Sequence, residues 1–174
     1  LPVDEKLLLS VDHVEHFLRS RRSIRAYRQK PVPKDVLEQV LAIASSAPTG
    51  SNRQPVKWMV VHEKDKVQAV AGHVIDWMRS VQANHPEQAE MFNMDRLIEA
   101  WENGTDRICR DAPHLLFTYT AGDVRNGSTD CHTAIAYLEL ALPSFNLGSC
   151  WAGYVNFAAN NWPPLADFLG FSVD

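Results

Sequence analysis

The sequence predicts an α+β layered domain. Stretches with apolar residues at helical period alternate with a few short β-rich runs, and neither internal repeats nor low-complexity tracts interrupt them. With 174 residues, one domain is expected, and 45% apolar residues suffice for a sizeable core. Charged residues make up 22%, which excludes a disordered composition.

Asp12 is placed to cap a short helix from His13 to about Ser20, with Val14, Phe17 and Leu18 on one face. Pro31 and Pro33 break the chain, and Pro33 suits the first turn of the next helix. That helix carries Val36, Leu37, Val40, Leu41, Ile43, Ala44 and Ala47 in period, until Pro48 ends it. Lys57 to His62 reads as a buried strand. Val67, Val70, Ala71, Val74, Met78 and Val81 mark a helix that His85-Pro86 interrupts. Met91, Met94, Ile98 and Trp101 mark the next, which Asn103-Gly104 ends. Trp77, Met91, Phe92, Met94 and Trp101 fit either core packing or an adaptable apolar cover over a ligand. Leu115 to Thr120 predicts a second strand. From Cys131 to Leu147 the only charged residue is Glu139, the pattern of a buried central helix that Pro143 kinks or ends early. Cys150 to Val155 predicts a third strand, and Pro163-Pro164 opens a last helix through Phe168.

Residues 1–11 read as a linker or domain junction and 12–174 as the domain. Both ends look cut, so a segment of a longer protein is expected. Cys109, Cys131 and Cys150 lie far apart with no C-x-x-C pair, which argues against a zinc or iron–sulfur site here and fits a reducing cytoplasm. His13 and His16 read as surface residues, and no metal ligands are assigned. No apolar run approaches a membrane span. The net charge of −4 argues against a general nucleic-acid binder.

Two segments carry chemistry. Residues 21 to 27 read Arg-Arg-Ser-Ile-Arg-Ala-Tyr; Arg21, Arg22, Ser23 and Arg25 supply guanidinium forks and a hydroxyl that match a phosphate dianion. Residues 47 to 55 read Ala-Pro-Thr-Gly-Ser-Asn-Arg-Gln-Pro. There Pro48, Thr49, Gly50, Ser51, Asn52 and Gln54 offer small residues and two carboxamides that can read the edge of a flat heterocycle. Alone, the first also fits a solvated helix end and the second an ordinary polar turn. A flavin mononucleotide (FMN) carries both a phosphate and such a ring.

The two segments in this order, with Asn146-Leu147-Gly148-Ser149 and Cys150-Trp151-Ala152-Gly153-Tyr154 behind them, resemble the nitroreductase family of flavin enzymes over roughly residues 12 to 170. The resemblance implies a three-layer fold with a central, mostly antiparallel sheet. It implies a homodimer with FMN at the subunit interface. It places Arg21, Arg22, Ser23 and Arg25 on the phosphate and ribityl chain, the Asn52 loop at the flavin, and Cys150, Trp151, Ala152 and Gly153 over the ring. No protein acid or base is assigned. The implied donor is NAD(P)H or a ferredoxin-type module, for which the Leu1–Lys6 junction is suggestive; the implied acceptor is a small electron-poor aromatic such as a nitro compound or quinone. Val56-Lys57 before Trp58 and Ala152 in place of a Glu depart from the family pattern, and its closing strand with a basic residue is absent here. Flavin destruction, dehalogenation, a flavin sensor without turnover, and a phosphate or nucleic-acid binder are the rival readings.

Overall fold

A computed structural model describes residues 3–171. Its helices are α1 (Val11–Ser20), α2 (Lys34–Ala44), α3 (Lys64–Asn84), α4 (Pro86–Met91), α5 (Met94–Glu102), α6 (Gly127–Ala141), α7 (Gly153–Asn161) and α8 (Pro163–Leu169). Strands β1 (Lys57–Val61) and β2 (Leu115–Tyr119) pair antiparallel, with Lys57 opposite Tyr119 and Val61 opposite Leu115.

Strand alternation explains the layering. Val61, Leu115 and Phe117 point to one face and join a core built on α3, α5, α7 and α8. Trp58 and Leu116 point to the other and join a smaller core of Val40, Ala44, Leu138 and Leu142, from α2, α6 and the turn after α6. The sheet is therefore the middle of three layers. The core of α3 is Val67, Val70, Val74, Ile75 and Met78, all fully or nearly fully buried. Each such side chain contributes roughly 1.5–3 kcal/mol by its removal from water.

Several sequence expectations are corrected. Residues 150–155 form no strand: an extended stretch leads into α7, whose buried Val155 and Ala158 follow helical spacing. Local β-propensity misleads there because no partner strand lies alongside. The cap of α1 is Ser10, whose hydroxyl accepts the His13 N–H, not Asp12. Pro33 stands at the cap of α2, one residue before the helix. The run through Met91 and Trp101 splits into α4 and α5 at Asn93, a left-handed residue. Of the proposed apolar cover, Trp77 and Met94 are core, whereas Met91 and Phe92 are exposed. Helix α6 is not buried all round in the single chain: Asp130, Ala134 and Leu138 face inward, but Tyr137 is 40% exposed. It does end early, and Pro143 opens the 3-10 turn Leu142–Phe145.

One buried histidine ties the segment after α1 to the sheet. His114 Nε2 accepts the Val32 N–H at 2.8 Å, and Nδ1 lies 2.9 Å from the His62 carbonyl oxygen. These partners require the neutral ring with its proton on Nδ1. Burial lowers the pKa of His114, against the raising effect of its hydrogen bond to the His62 carbonyl oxygen. The folded form thus resists a proton that the unfolded chain accepts near pH 6.5, so this contribution is full above that pH and is lost as the pH falls below it. Thermal unfolding at pH 5 is expected to begin at a lower temperature than at pH 7.5. His114→Gln, whose amide can both accept and donate, should flatten that slope; an unchanged slope would contradict the assignment.

Candidate functional site

The arginine segment leaves α1 in extended conformation and docks on the stretch before α7. The Ile24 N–H donates to the Ser149 carbonyl oxygen at 2.8 Å. Gly148 makes this approach possible, because a Cβ there would lie 2.6 Å from Ile24 Cγ1. The Tyr27 hydroxyl bonds the Ile24 carbonyl oxygen at 2.7 Å and lies 3.3 Å from Cys150 Sγ. Burial, reinforced by the thiol, raises the pKa of Tyr27 and keeps the phenol neutral.

The arginines are not equivalent. Arg21 Nη1 donates to Glu139 Oε1 at 2.9 Å. Arg22 Nη1 donates to the Arg19 and Arg21 carbonyl oxygens at 2.7 and 2.8 Å, closing the end of α1. Arg25 is exposed and has no carboxylate partner among the described residues. Ser23 is half-buried.

The stretch after α6 starts at left-handed Asn146 and runs extended to Ala152, the cap of α7. Trp151 is 48% exposed; its Nε1 donates to Glu139 Oε2 at 3.0 Å, and its ring stacks on His132 at 5.8 Å between centroids. No side chain caps α7, and a Cβ at Gly153 would meet nothing within 4 Å. The first N–H groups of α7 therefore stand open, at the end of the helix that favours negative charge.

The amide loop is strongly bent. Ser51, Asn52 and Gln54 all have positive φ, at 54°, 53° and 49°. Such backbone costs of order 1–3 kcal/mol per residue and persists only where surrounding contacts hold it. Two contacts do so: the Gln54 N–H donates to Thr49 Oγ1 at 2.9 Å, and the Gly50 N–H donates to Oδ1 of buried Asp130 at 3.0 Å. A Cβ at Gly50 would come within 2.6 Å of Asn126 Nδ2, so the Asn126 side chain would have to turn aside. A cavity of about 330 Å³ lies beside the loop, lined by Gly50, Ser51, Arg53, Val124, Arg125, Asn126 and Asp130. Pro48, Asn52 and Gln54 are exposed, and Thr49 is half-buried.

One chain thus brings together the arginine segment and residues 148–153, but not the amide loop. Glu139 anchors the first pair and Asp130 the loop, nine positions apart on α6. At 1.5 Å per residue that is roughly 14 Å along the axis. The cavity at the loop includes none of the arginine segment.

The donor set fits a flavin mononucleotide: unpaired guanidinium and hydroxyl groups for a phosphate, open N–H groups at the start of α7 for a ring that gains negative charge on reduction, and exposed carboxamides for a heterocycle edge. Glu139 and Asp130 were not singled out from the sequence. A lone charge in an apolar helix was the available signal for Glu139, since a buried carboxylate requires partners. Among the described residues no cluster could hold a metal ion, and no helix is long and apolar enough to cross a membrane. Cys109, Cys131 and Cys150 are free, and burial raises the pKa of Cys109 and Cys131.

An iodotyrosine deiodinase of Danio rerio is 34% identical over 67 residues, 37% of this chain and 23% of that protein. An NADH dehydrogenase of Thermus thermophilus is 28% identical over 138 residues, 74% of this chain and 67% of that protein. The chain thus spans under a quarter of the length of the first of these relatives. A nitroreductase with bound FMN from Bacteroides fragilis superposes with a TM-score of 0.72 at 22% identity, over 92% of this chain and 80% of that one. The profile of the nitroreductase family matches residues 18–173, and the chain belongs to that family.

Proposed function

We propose that this chain is an FMN-dependent oxidoreductase that passes electrons from NAD(P)H, or from a ferredoxin-type donor, to a small electron-poor aromatic acceptor such as a nitro compound or quinone. The observation that carries this reading is the docking of Ile24 on Ser149 across Gly148. It sets a phosphate-type donor segment against the open N-terminus of α7.

Bound flavin would supply the redox chemistry. Arg21, Arg22, Ser23 and Arg25 would hold its phosphate and ribityl chain, and Arg25 has no carboxylate partner among the described residues. The N–H groups at Ala152 and Gly153 would face the ring where reduction adds negative charge. Pro48, Thr49, Gly50, Ser51, Asn52 and Gln54 would reach the flavin of a second copy, because in their own chain they sit at the far end of α6 from the arginine segment.

The single chain also leaves apolar surface that a partner copy would cover. Val11, Val14 and Leu18 of α1 are exposed, as are Leu7, Leu8 and Leu9 before it. A homodimer in the cytoplasm completes the reading. Similarity to an iodotyrosine deiodinase supports reductive dehalogenation of an aromatic as the second reading.

The test is direct. Purified protein titrated with FMN should quench its fluorescence, and the yellow complex should bleach with NADH or NADPH. It should then turn over a nitroaromatic or quinone with parallel-line, ping-pong kinetics. A halotyrosine as sole acceptor distinguishes the second reading. A colourless protein with no flavin uptake would contradict both.

A further inference from the structure

The cavity beside the amide loop carries charges that the flavin reading leaves unused. Arg53, from the loop, and Arg125, from the turn before α6, both line it. Both are exposed, and neither has a carboxylate partner among the described residues. The acidic group in the lining is Asp130, which is buried and whose Oδ1 accepts the Gly50 N–H at 3.0 Å. Two cations thus stand against one carboxylate, and the lining keeps an excess of positive charge. Asn126 begins α6 there without a side-chain cap, and a helix start adds positive potential. Like charges beside one cavity repel; an anion in that cavity turns the repulsion into attraction. Guanidinium forks match the paired oxygens of a carboxylate or phosphate. At about 330 Å³ the cavity is at the small end of ligand clefts, with room for a small aromatic acid or for one end of a dinucleotide.

We propose that Arg53 and Arg125 form an oxyanion site at the border of the flavin, which selects a reactant that carries a carboxylate or a phosphate. This rests on the flavin reading above, in which the loop of one copy meets the ring held by another. Arg53 directly follows Asn52, so an anion held by Arg53 lies next to the residue assigned to the ring. Two reactants can bring such a group: the aromatic acceptor, through a carboxylate, or the nicotinamide donor, through a phosphate. The arginines bind and orient the reactant; the electrons pass between it and the flavin.

The experiment compares wild-type protein loaded with FMN with the variant carrying Arg53→Gln and Arg125→Gln, in two arms. 4-Nitrobenzoate and 4-nitrobenzamide share the reducible nitro group and differ in charge. If the acceptor brings the anion, the ratio of kcat/KM for the acid over that for the amide should fall at least about tenfold in the variant. Added salt should lower that ratio in the wild type and leave it flat in the variant. Arg53→Lys with Arg125→Lys, which keeps both charges, should recover part of the ratio. The second arm holds the acceptor neutral and compares NADPH with NADH, which differ by one phosphate. A fall confined to that ratio assigns the site to the donor.

Ratios that stay at the wild-type value in both arms overturn the proposal. Wild-type protein that takes up no FMN overturns the functional reading instead. Ligand-observed nuclear magnetic resonance of the flavin-free protein then decides the arginines. Broadening of 4-nitrobenzoate or NADPH signals that the double variant abolishes supports the site, and equal signals with wild type and variant overturn it.

Discussion

Gly148→Ala should abolish tight FMN binding and lower the stability of the fold by about 1–3 kcal/mol, the cost of forcing a methyl group into filled space. The new Cβ would sit 2.6 Å from Ile24 Cγ1, 2.9 Å from its Cβ and 3.1 Å from its Cγ2. A rotation of the Ile24 side chain moves the γ carbons but not the Cβ, which follows only the backbone. That backbone is held by the 2.8 Å bond from the Ile24 N–H to the Ser149 carbonyl oxygen. Relief therefore requires the arginine segment to lift away from residues 148–153, separating the two halves of the phosphate-to-ring path. Ile24→Ala removes both γ carbons and should restore part of the affinity to the Gly148→Ala protein. Thermal unfolding and FMN titration on the same samples check both effects; a Gly148→Ala protein with wild-type affinity would show that the contact does not shape the site.

Arg25→Ala combined with Arg22→Ala is expected to weaken FMN binding by at least about a hundredfold, since hydrogen bonds to charged groups contribute roughly 1.5–3 kcal/mol each. At saturating FMN the turnover number should change little if, as proposed, these residues hold the phosphate and not the reacting ring. The two are separable. Arg22 also closes α1 through the Arg19 and Arg21 carbonyl oxygens, so its loss should fray that helix end. Arg25 has no such duty, so Arg25→Ala should change affinity without changing helicity. A rise in KM for FMN with unaltered circular dichroism is the expected signature.

Much of the scaffold was legible because periodicity reports burial directly. The α3 positions Val67, Val70, Ala71, Val74 and Met78 are all buried, and both paired strands stand where β-rich runs predicted them. The errors arise where the decisive partner is remote. Cys150-Trp151-Ala152-Gly153-Tyr154-Val155 has strand-like composition, but a strand needs a neighbour, and this stretch lies against the arginine segment and then turns into α7. The residue types of the three proposed site segments, and their order, are visible in the sequence itself. Their pairings are not: Arg21 and Glu139 are 118 positions apart, and nothing local in either announces the other. Asp130 likewise reads as an ordinary first-turn acid of α6, yet it is buried and holds the Gly50 N–H from 80 positions away. The all-round apolarity of α6 pointed to complete burial. In one chain only part of it is covered.

The central claim is that the arginine segment of one copy and the amide loop of another together hold one flavin. Two defective proteins, one carrying Arg22→Ala and Arg25→Ala and the other Asn52→Ala and Gln54→Ala, should each bind FMN poorly alone. After subunits are mixed and exchanged, each mixed dimer would contain a site with an intact arginine segment from one chain and an intact loop from the other, and tight FMN binding should return at that site. If exchange is verified by sedimentation and binding stays as weak as in the separate proteins, the two segments do not share a ligand across copies, and the account is wrong.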